Sequence, residues 1–348
     1  MKIKSILRIL YRFYRKIAYA KEQDPIVHRK ITLYKKKVNL INSLGSLNPD
    51  KIFYVIQRSP GRGMFSNVTF VVNHIKVAKD YGFIPIVDMQ NFTTLYNEKN
   101  KICKTENAWE YYFEQTSNYS LEEVYKSKNV ILIEDIFYKT AGFFYSVNES
   151  EELKKIFDKY IVLNKSKLKL ASYLKKKLFQ NKKILGVHFR GTGYKLGRQP
   201  HPATIKQMKN KIKKIISTDK YEKIFLVTED LYNFNGIINE FQNKVIYLKN
   251  SIREKDSNTA FDTYPRTRHR YKLGRDILIE TCLLSHCDGY LDIRNNVREA
   301  AHAFNLNPNQ KRYFIDNGFN DSLPIITKYI WYIKSVLPKK LGGFDENI

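Results

Sequence analysis

Short apolar runs alternate with helical patterns along most of the chain. The first run, residues 51–57, predicts a strand, and a glycine-containing loop joins it to a helical pattern over residues 68–81. Residues 83–87 predict a second strand, which ends at Asp88. A strand, a loop, a helix and a second strand make a βαβ unit, whose two strands lie parallel in one sheet.

The alternation of strand and helix patterns continues to the end of the chain. The expected helices are at residues 107–127, 150–180, 203–217 and 275–287, after residue 230, from residue 295 and at residues 324–337. The expected strands are at residues 130–133, 184–187, 223–228, 244–248 and 289–292, and residues 249–272 predict a loop. The pattern therefore predicts an α/β fold with two successive doubly wound, Rossmann-like halves and a cleft between them.

This pattern predicts four parts. Residues 1–23 form a basic amphipathic helix, and residues 40–180 form a first Rossmann-like domain. Residues 181–315 form a second Rossmann-like domain, and residues 316–348 hold a helix expected to pack back on the first domain.

Composition narrows the class of protein. The chain has 348 residues, of which 43% are apolar and 14% aromatic, so it can bury a core and is not a disordered protein. Composition also excludes collagen, a coiled coil and a secreted disulfide scaffold. Lys and Arg number 61 against 34 Asp and Glu, a net charge of +27. The expected partner is anionic: a nucleic acid, a membrane surface or a phosphorylated substrate.

The three cysteines predict neither a disulfide framework nor a zinc site. Cys103, Cys282 and Cys287 are odd in number and form no CxxC pair, which favours a reducing cytosol. Cys282 and Cys287 lie in an apolar run and are expected to be buried free thiols.

The first 23 residues separate apolar from basic positions around a helix. The apolar side holds Ile3, Ile6, Leu7, Leu10, Phe13, Tyr14 and Ile17. The other side holds Lys2, Lys4, Arg8, Arg12, Arg15 and Lys16. The arginines interrupt any signal-peptide core. Two interpretations stay open: a helix in an anionic membrane interface, or a helix packed on its own domain. No apolar run reaches the roughly 18–20 residues of a spanning helix.

Ligands of open α/β sheets bind where strands end. The loop after residue 187 is the richest such place, with His188, Arg190, Gly191, Thr192, Gly193 and Lys195. The glycines let backbone N–H groups approach an anion, and Arg190 can bind a phosphate through two hydrogen bonds. The alternative is a solvated basic loop.

Three other places carry weaker signals. The loop over residues 59–67 resembles a phosphate-cradling loop but lacks the Walker Lys-Ser/Thr, so a plain turn is the alternative. Asp276, with Glu280 one turn later, lies in the first turn of a predicted helix. Its carboxylate could interact favourably with the helix dipole or accept hydrogen bonds from a nucleotide. Arg294-Asn295-Asn296 lies where a strand meets a helix amino terminus, a natural anion site.

Motifs in the second half follow one another in a recognisable order. They are His188-Phe189-Arg190-Gly191-Thr192, His201-Pro202, Leu226-Val227-Thr228-Glu229-Asp230, Gly274-Arg275-Asp276, Leu283-Leu284-Ser285-His286-Cys287-Asp288 and Asn296-Val297-Arg298-Glu299-Ala300-Ala301. This order resembles the GDP-fucose-dependent fucosyltransferase superfamily: α1,6-fucosyltransferases including the nodulation enzymes, and protein O-fucosyltransferases. It is most similar to the bacterial branch encoded with surface-polysaccharide genes. Gly63-Met64-Phe65-Ser66-Asn67 and Ile84-Pro85-Ile86-Val87-Asp88 resemble its amino-terminal lobe, so the resemblance covers about residues 50–310.

The resemblance implies a GT-B fold and an inverting reaction that needs no metal or other cofactor. It implies that Arg190 contacts the β-phosphate of GDP, that His188 contacts the nucleotide, that Asp276 contacts guanine or ribose, and that Asn295 and Asn296 match a phosphate-side turn. The full expected nucleotide-sugar site is His188, Arg190, Gly191, Thr192, Lys195, Thr228, Asp276, Asn295 and Asn296. The expected acceptor-side loop is Gly63, Phe65, Ser66, Asn67 and Asp88. Arg190 and His201 are the expected catalytic residues.

Two positions depart from the family pattern. Gly193 stands where relatives have Asp, and Asn295 stands where they have Ser. The base that deprotonates the acceptor stays open among His201, Asp88, Glu229 and Asp230.

We therefore expect a cytoplasmic glycosyltransferase, peripheral on the inner face of the plasma membrane. It would move a deoxyhexose, with fucose from GDP-fucose the expected donor, to a hydroxyl of a bacterial surface glycan or its lipid-linked precursor. Its expected partners are the GDP-sugar, an oligosaccharide or lipid-linked acceptor, and an anionic membrane surface. Another GDP-sugar such as a GDP-heptose, a nucleic-acid-binding protein and an inactive transferase-fold scaffold are the alternatives. No nucleic-acid-binding motif is present, so no nucleic acid is expected as a partner.

Overall fold

The computed structural model describes residues 41–133, 147–255, 265–323 and 325–348. The predicted basic helix over residues 1–23 lies outside the described residues. Within the described ranges, no helix combines the length and the apolar character needed to cross a membrane.

The first half of the chain forms a four-stranded sheet. Its strands are β1 (Ile41–Asn42), β2 (Phe53–Ile56), β3 (Ile84–Val87) and β4 (Val130–Leu132), in the order β1-β4-β2-β3. β2 pairs in parallel with β3 and with β4, whereas β1 is antiparallel to β4. Every residue of β2 is buried, which explains a continuous apolar run in place of alternation. Among the described residues of this half, the α-helices are α1 (Met64–Asp80), α2 (Leu121–Val124), α3 (Glu151–Tyr160) and α4 (Lys165–Phe179).

The second half forms a five-stranded sheet whose described pairings are all parallel. Its strands are β5 (Ile184–His188), β6 (Lys223–Val227), β7 (Val245–Ile246), β8 (Gly289–Asp292) and β9 (Lys311–Phe314). The spatial order is β7-β6-β5-β8-β9, so the direction of winding reverses between β5 and β8. The α-helices in the described part of this half are α5 (Thr192–Leu196), α6 (Ile205–Asp219), α7 (Leu231–Phe241), α8 (His269–His286), α9 (Asn296–Phe304) and α10 (Thr327–Val336). The mainly parallel pairing of both sheets, with helices between the strands, confirms the predicted α/β class.

One apolar cluster joins the two halves. It includes Phe65 and Tyr112 from the first half and Leu278 and Ala301 from the second. Gly274 of α8 makes this approach possible, because a Cβ there would lie 2.2 Å from the Tyr112 hydroxyl. The two sheets are therefore packed together through α1, α8 and α9.

Two stretches differ from their predicted structure. Residues 107–127 form turns with only α2 helical, because the Asn107 side chain takes over backbone partners: its Oδ1 accepts from the Met89 and Trp109 N–H groups at 3.1 and 3.2 Å. Helix α8 begins at His269, inside the stretch predicted as loop.

The C-terminal region differs from its predicted structure in two ways. Strand β9 was not predicted, since it is an edge strand whose first residues are exposed and polar. The described contacts of α10 are with the second half. The indole N–H of its Trp331 donates to the Pro202 carbonyl at 2.8 Å. The prediction had placed this helix on the first half.

Candidate functional site

The reversal of winding between β5 and β8 marks the place where a ligand of an open α/β sheet binds. The loop that begins with Phe189 leaves the end of β5, and the turn through Ile293 leaves the end of the neighbouring β8. Because the two strands pair in parallel, both connections emerge at the same edge of the sheet.

Arg190 is held in place by Glu229, which follows β6. The guanidinium Nη1 lies 3.1 Å from Glu229 Oε1, and 32% and 29% of the two side chains are exposed. The same Oε1 accepts the Gly191 N–H at 3.1 Å. Burial is the largest single influence and acts to lower the pKa of Arg190, but Glu229, Tyr194 and Tyr96 together raise the pKa by more, so the group stays charged. One carboxylate thus orients a cation and its neighbouring backbone.

Gly191 is needed for a close approach to the loop after β6. A Cβ at this position would lie 2.5 Å from Asp230 Oδ2 and 2.9 Å from Asn233 Nδ2. Asp230 caps α7 by accepting the Asn233 N–H at 3.0 Å, and it pairs with Lys195 at 3.4 Å. The Lys195 ammonium also lies 4.8 Å from the centre of the Trp331 ring. Lys195 therefore has structural partners on two sides.

His188 and Thr228 lie beneath this loop, at the ends of the two strands. His188 is buried, and burial together with the charge of Arg190 lowers its pKa to about 3, so its ring is neutral at physiological pH. Thr228 is also buried, and its hydroxyl accepts the Asp230 N–H at 3.2 Å. Thr192 is the first residue of α5.

The first half of the chain reaches this site through Tyr96. Tyr96 is buried, its hydroxyl accepts the Met64 N–H at 2.7 Å, and it interacts electrostatically with Arg190. Tyr96 thereby connects Arg190 to the start of α1, whose N-cap is Gly63. Sequence reasoning missed Tyr96, since it lies in an irregular loop and belongs to no motif.

The predicted acceptor-side loop is built from several internal contacts. Asn67 exchanges hydrogen bonds with the Arg62 backbone at 2.9 and 3.1 Å, and Arg58 donates to the Ser66 carbonyl at 2.6 Å. Phe65 is buried in the core and meets the Phe304 ring edge-on. These contacts shape the loop, while a Cβ added at Gly63 would meet nothing within 4 Å, so this side is open.

Asp88 is wholly buried and occupied by its own loop. Its carboxylate accepts from the Gln90 and Asn91 backbones at 2.9 and 2.8 Å and from the Tyr125 hydroxyl at 2.7 Å. These bonds account for the residue structurally, so we assign it no part in proton transfer.

Asp276 lies on the wall of a cavity of about 440 Å³. Arg266 and Arg275 each approach its carboxylate to 2.7 Å. The cavity is otherwise lined by α4, by the segment after β7 and by Ile279. Asp276 is thus a fixed, charge-neutralised acceptor on a partly apolar wall.

Glu280, one turn beyond Asp276, is buried beside the same cavity. Burial raises its pKa to about 7, and the neighbouring charge of Asp276 acts in the same direction. Its carboxylate accepts the Ser251 hydroxyl at 2.5 Å. It also lies near enough to Glu229 for their charges to interact, so the cavity wall lies near the pair of Arg190 and Glu229.

The turn after β8 presents the amino terminus of α9. Asn295 caps this helix, accepting the Arg298 N–H at 3.0 Å and donating to the Ile293 carbonyl at 2.7 Å. Its side chain is therefore used internally, whereas Asn296 is exposed. Arg298 is anchored on Asp292, the last residue of β8, at 3.1 Å.

His201 lies among other partners. It is buried, its ring meets Phe344 edge-on, and its backbone N–H donates to the Gly318 carbonyl at 2.9 Å. Burial, with a contribution from Lys334, lowers its pKa to about 4. The contacts described for His201 are with the C-terminal region and do not include Arg190.

Among the described residues, no group of three His, Cys, Asp or Glu side chains is arranged to hold a metal ion. Cys282 and Cys287 are free and buried, as predicted, and burial raises the pKa of Cys282 to about 12.

Comparison with known proteins gave matches among solved structures alone. No family model and no curated protein matches the chain. NodZ alpha-1,6-fucosyltransferase co-crystallised with GDP aligns with 72% of this chain and 92% of its own, at 15% identity and a TM-score of 0.45. Fucosyltransferase NodZ from Bradyrhizobium aligns at 14% identity and a TM-score of 0.44, over 72% and 93% of the two chains. POFUT1 in complex with GDP-fucose aligns with 77% of this chain and 99% of its own, at 9% identity and a TM-score of 0.44.

Proposed function

We propose that this protein is a glycosyltransferase that uses a GDP-sugar, with GDP-fucose as the donor. The observation that supports this proposal most is the position of Arg190. Its charged guanidinium is fixed by Glu229 and lies at the edge of the sheet where the winding reverses. The motif order that includes Arg190 supplies the identity of the nucleotide and the sugar.

A diphosphate would find two complementary features at this edge. Arg190 uses one contact with Glu229 and has further N–H donors in its planar fork. At the amino terminus of α9, Asn295 caps the Arg298 N–H, and the N–H groups of the first turn lie at the positive end of a helix dipole. Together they favour a pyrophosphate between β5 and β8, with Asn296 beside it.

The proposed reaction is a displacement with inversion at the anomeric carbon. A bond forms between the acceptor oxygen and that carbon, while the bond from the carbon to the β-phosphate oxygen breaks and GDP leaves with its electrons. The acceptor proton passes to a base or to water. Arg190 would stabilise the charge that develops on the leaving diphosphate, a role that needs no metal.

The base stays unassigned. Glu229 is the candidate that touches Arg190, but its carboxylate already holds the guanidinium and the Gly191 N–H. His201 is neutral at physiological pH and could accept a proton, yet it is buried against Phe344. A reaction driven mainly by departure of the stabilised diphosphate fits this arrangement.

The nucleoside would extend toward the cavity beside Asp276. The carboxylate can accept hydrogen bonds from guanine or ribose, and the leucines and tyrosine of the wall suit a flat, partly apolar ring. The acceptor would approach from the side of Gly63 and the start of α1. We further propose a surface glycan or its lipid-linked precursor as acceptor, and an enzyme peripheral on an anionic membrane, because the chain is strongly basic.

The test is turnover of GDP-fucose by the full chain, followed as GDP release and as the anomeric configuration of the first product by NMR. Wild type should release GDP with inversion, and Arg190→Ala should lose about 10²-fold or more of the activity. Arg312→Ala removes an exposed arginine of β9 and serves as the matched control. Equal turnover in wild type and Arg190→Ala would refute the assignment. GDP binding without turnover, with or without an acceptor, would favour an inactive scaffold.

A further inference from the structure

The C-terminal region exposes an unusual amount of apolar surface. Of the eighteen large hydrophobic side chains that are exposed in the described residues, nine lie within residues 319–341. Five of them, Ile325, Tyr329, Tyr332, Ile333 and Val336, follow a helical spacing along α10 and the turn before it. Ile325 and Val336 are 83% and 80% exposed. We call these five residues the C-terminal apolar surface.

The opposite side of α10 is fixed to the second half of the protein. Trp331 is buried, donates to the Pro202 carbonyl and lies under the Lys195 ammonium. The helix is therefore anchored through one side while its apolar side faces outward. Exposed apolar side chains that are grouped in this way mark an interaction site.

Exposed lysines lie on α10 and shortly after it. Lys328 and Lys340 are exposed, and the Lys328 ammonium lies 4.9 Å from the centre of the Tyr329 ring. Lys339 is also exposed and pairs with Asp345, and Asp321 is the single acid in the sequence of residues 319–341. Aromatic and aliphatic side chains with lysines around them are the composition that suits a membrane interface, where the rings and methyl groups enter the boundary and the ammonium groups meet anionic headgroups.

We propose that the C-terminal apolar surface docks on an anionic lipid bilayer. Charge decides between this occupant and two others that the chain itself could supply. Residues 1–40 hold twelve basic and two acidic residues, and a second copy carries a net charge of +27. Both would be repelled by the lysines around the surface, whereas an anionic membrane attracts them.

This inference deepens the membrane part of the proposed function and can fail separately from it. For residues 1–23, a membrane interface was one of two interpretations that the sequence left open; the C-terminal apolar surface is a separate contact, on the folded domain itself. Its residues lie outside the proposed donor site, so a variant of this surface should keep wild-type affinity for GDP.

The experiment compares sedimentation of the full chain with phosphatidylcholine vesicles that contain or lack phosphatidylglycerol. The test variant is Ile325→Ser/Ile333→Ser/Val336→Ser. The matched control, Val162→Ser/Leu168→Ser/Leu306→Ser, removes three exposed aliphatic side chains from other parts of the surface. The test variant should bind anionic vesicles at least about tenfold more weakly than wild type, and the control should bind as wild type does.

A second readout keeps the result specific. Hydrogen exchange at the amides of α10 and its flanks should slow when wild type binds anionic vesicles, and Lys328→Glu/Lys340→Glu should weaken binding and reduce its dependence on salt. The proposal is overturned if the test variant and the control bind vesicles equally well. It is also overturned if wild type binds no anionic vesicles, or if the test substitutions instead abolish a dimer of wild type.

Discussion

Arg190 and Glu229 form a pair whose separate and joint removal tests the site most sharply. In the free protein the guanidinium and the carboxylate lie 3.1 Å apart. If a diphosphate binds beside Arg190, then Arg190→Ala removes an attractive charge and leaves the Glu229 carboxylate facing the phosphates.

The magnitude follows from these contacts. Each charge-assisted hydrogen bond between arginine and phosphate contributes about 1.5–3 kcal/mol. Since about a third of the Arg190 side chain is exposed, a net loss of about 3 kcal/mol is expected, which corresponds to about 10²-fold in affinity or in kcat/KM. Removing the carboxylate as well, in Arg190→Ala/Glu229→Gln, should restore about tenfold by ending the repulsion.

The assay is titration calorimetry with GDP, together with kcat/KM for GDP-fucose, on wild type, the two single variants and the double variant. Arg312→Ala controls for a general loss of positive charge. The reasoning is refuted if Arg190→Ala binds GDP within threefold of wild type, or if the double variant binds no better than Arg190→Ala.

Three further predictions follow from the packing and the buried groups. Gly191→Ala should lower the free energy of unfolding by about 2 kcal/mol because of the Asp230 clash, whereas Gly193→Ala, with nothing within 4 Å, should be neutral or slightly stabilising; equal urea midpoints for the two would contradict this. Because the pKa of His188 is lowered to about 3, the unfolded chain takes up this proton first and stability is lost as the pH falls from about 6.5 toward 3. Wild type should therefore lose about 2 kcal/mol more than His188→Phe between pH 7 and pH 5 in urea unfolding, and identical losses would count against a neutral buried ring. Gly274→Ala should destabilise the contact between the two halves, and Tyr112→Phe should relieve part of that cost by removing the hydroxyl 2.2 Å away; no relief in thermal melts would show that the helices shift instead.

Strands that are buried on both faces of a sheet were predictable, because such strands are apolar along their length. Residues 184–187 are a continuous apolar run, and they lie in β5, the central strand of the second sheet. The position of Arg190 at the end of β5 followed from that run and from the motif order. Strand β9 escaped prediction because an edge strand need not be apolar.

The partners within the site were harder to predict because they join distant parts of the sequence. Glu229 had been weighed as a base, and its contact with Arg190 depends on β5 lying beside β6. Tyr96 reaches Arg190 only through the packing of one half on the other. His201 follows Arg190 closely in sequence, but its described partners are in the C-terminal region, because the chain turns there to meet Gly318 and Phe344.

Selective binding of a guanine nucleotide tests the central claim most directly. The full chain would be titrated by calorimetry with GDP, GDP-fucose, UDP and ADP, without added divalent metal. We predict that GDP and GDP-fucose bind in a one-to-one ratio and that UDP and ADP bind at least about tenfold more weakly. Binding of none of the four, or equal binding of all three diphosphates, would contradict a GDP-sugar site at this edge of the sheet.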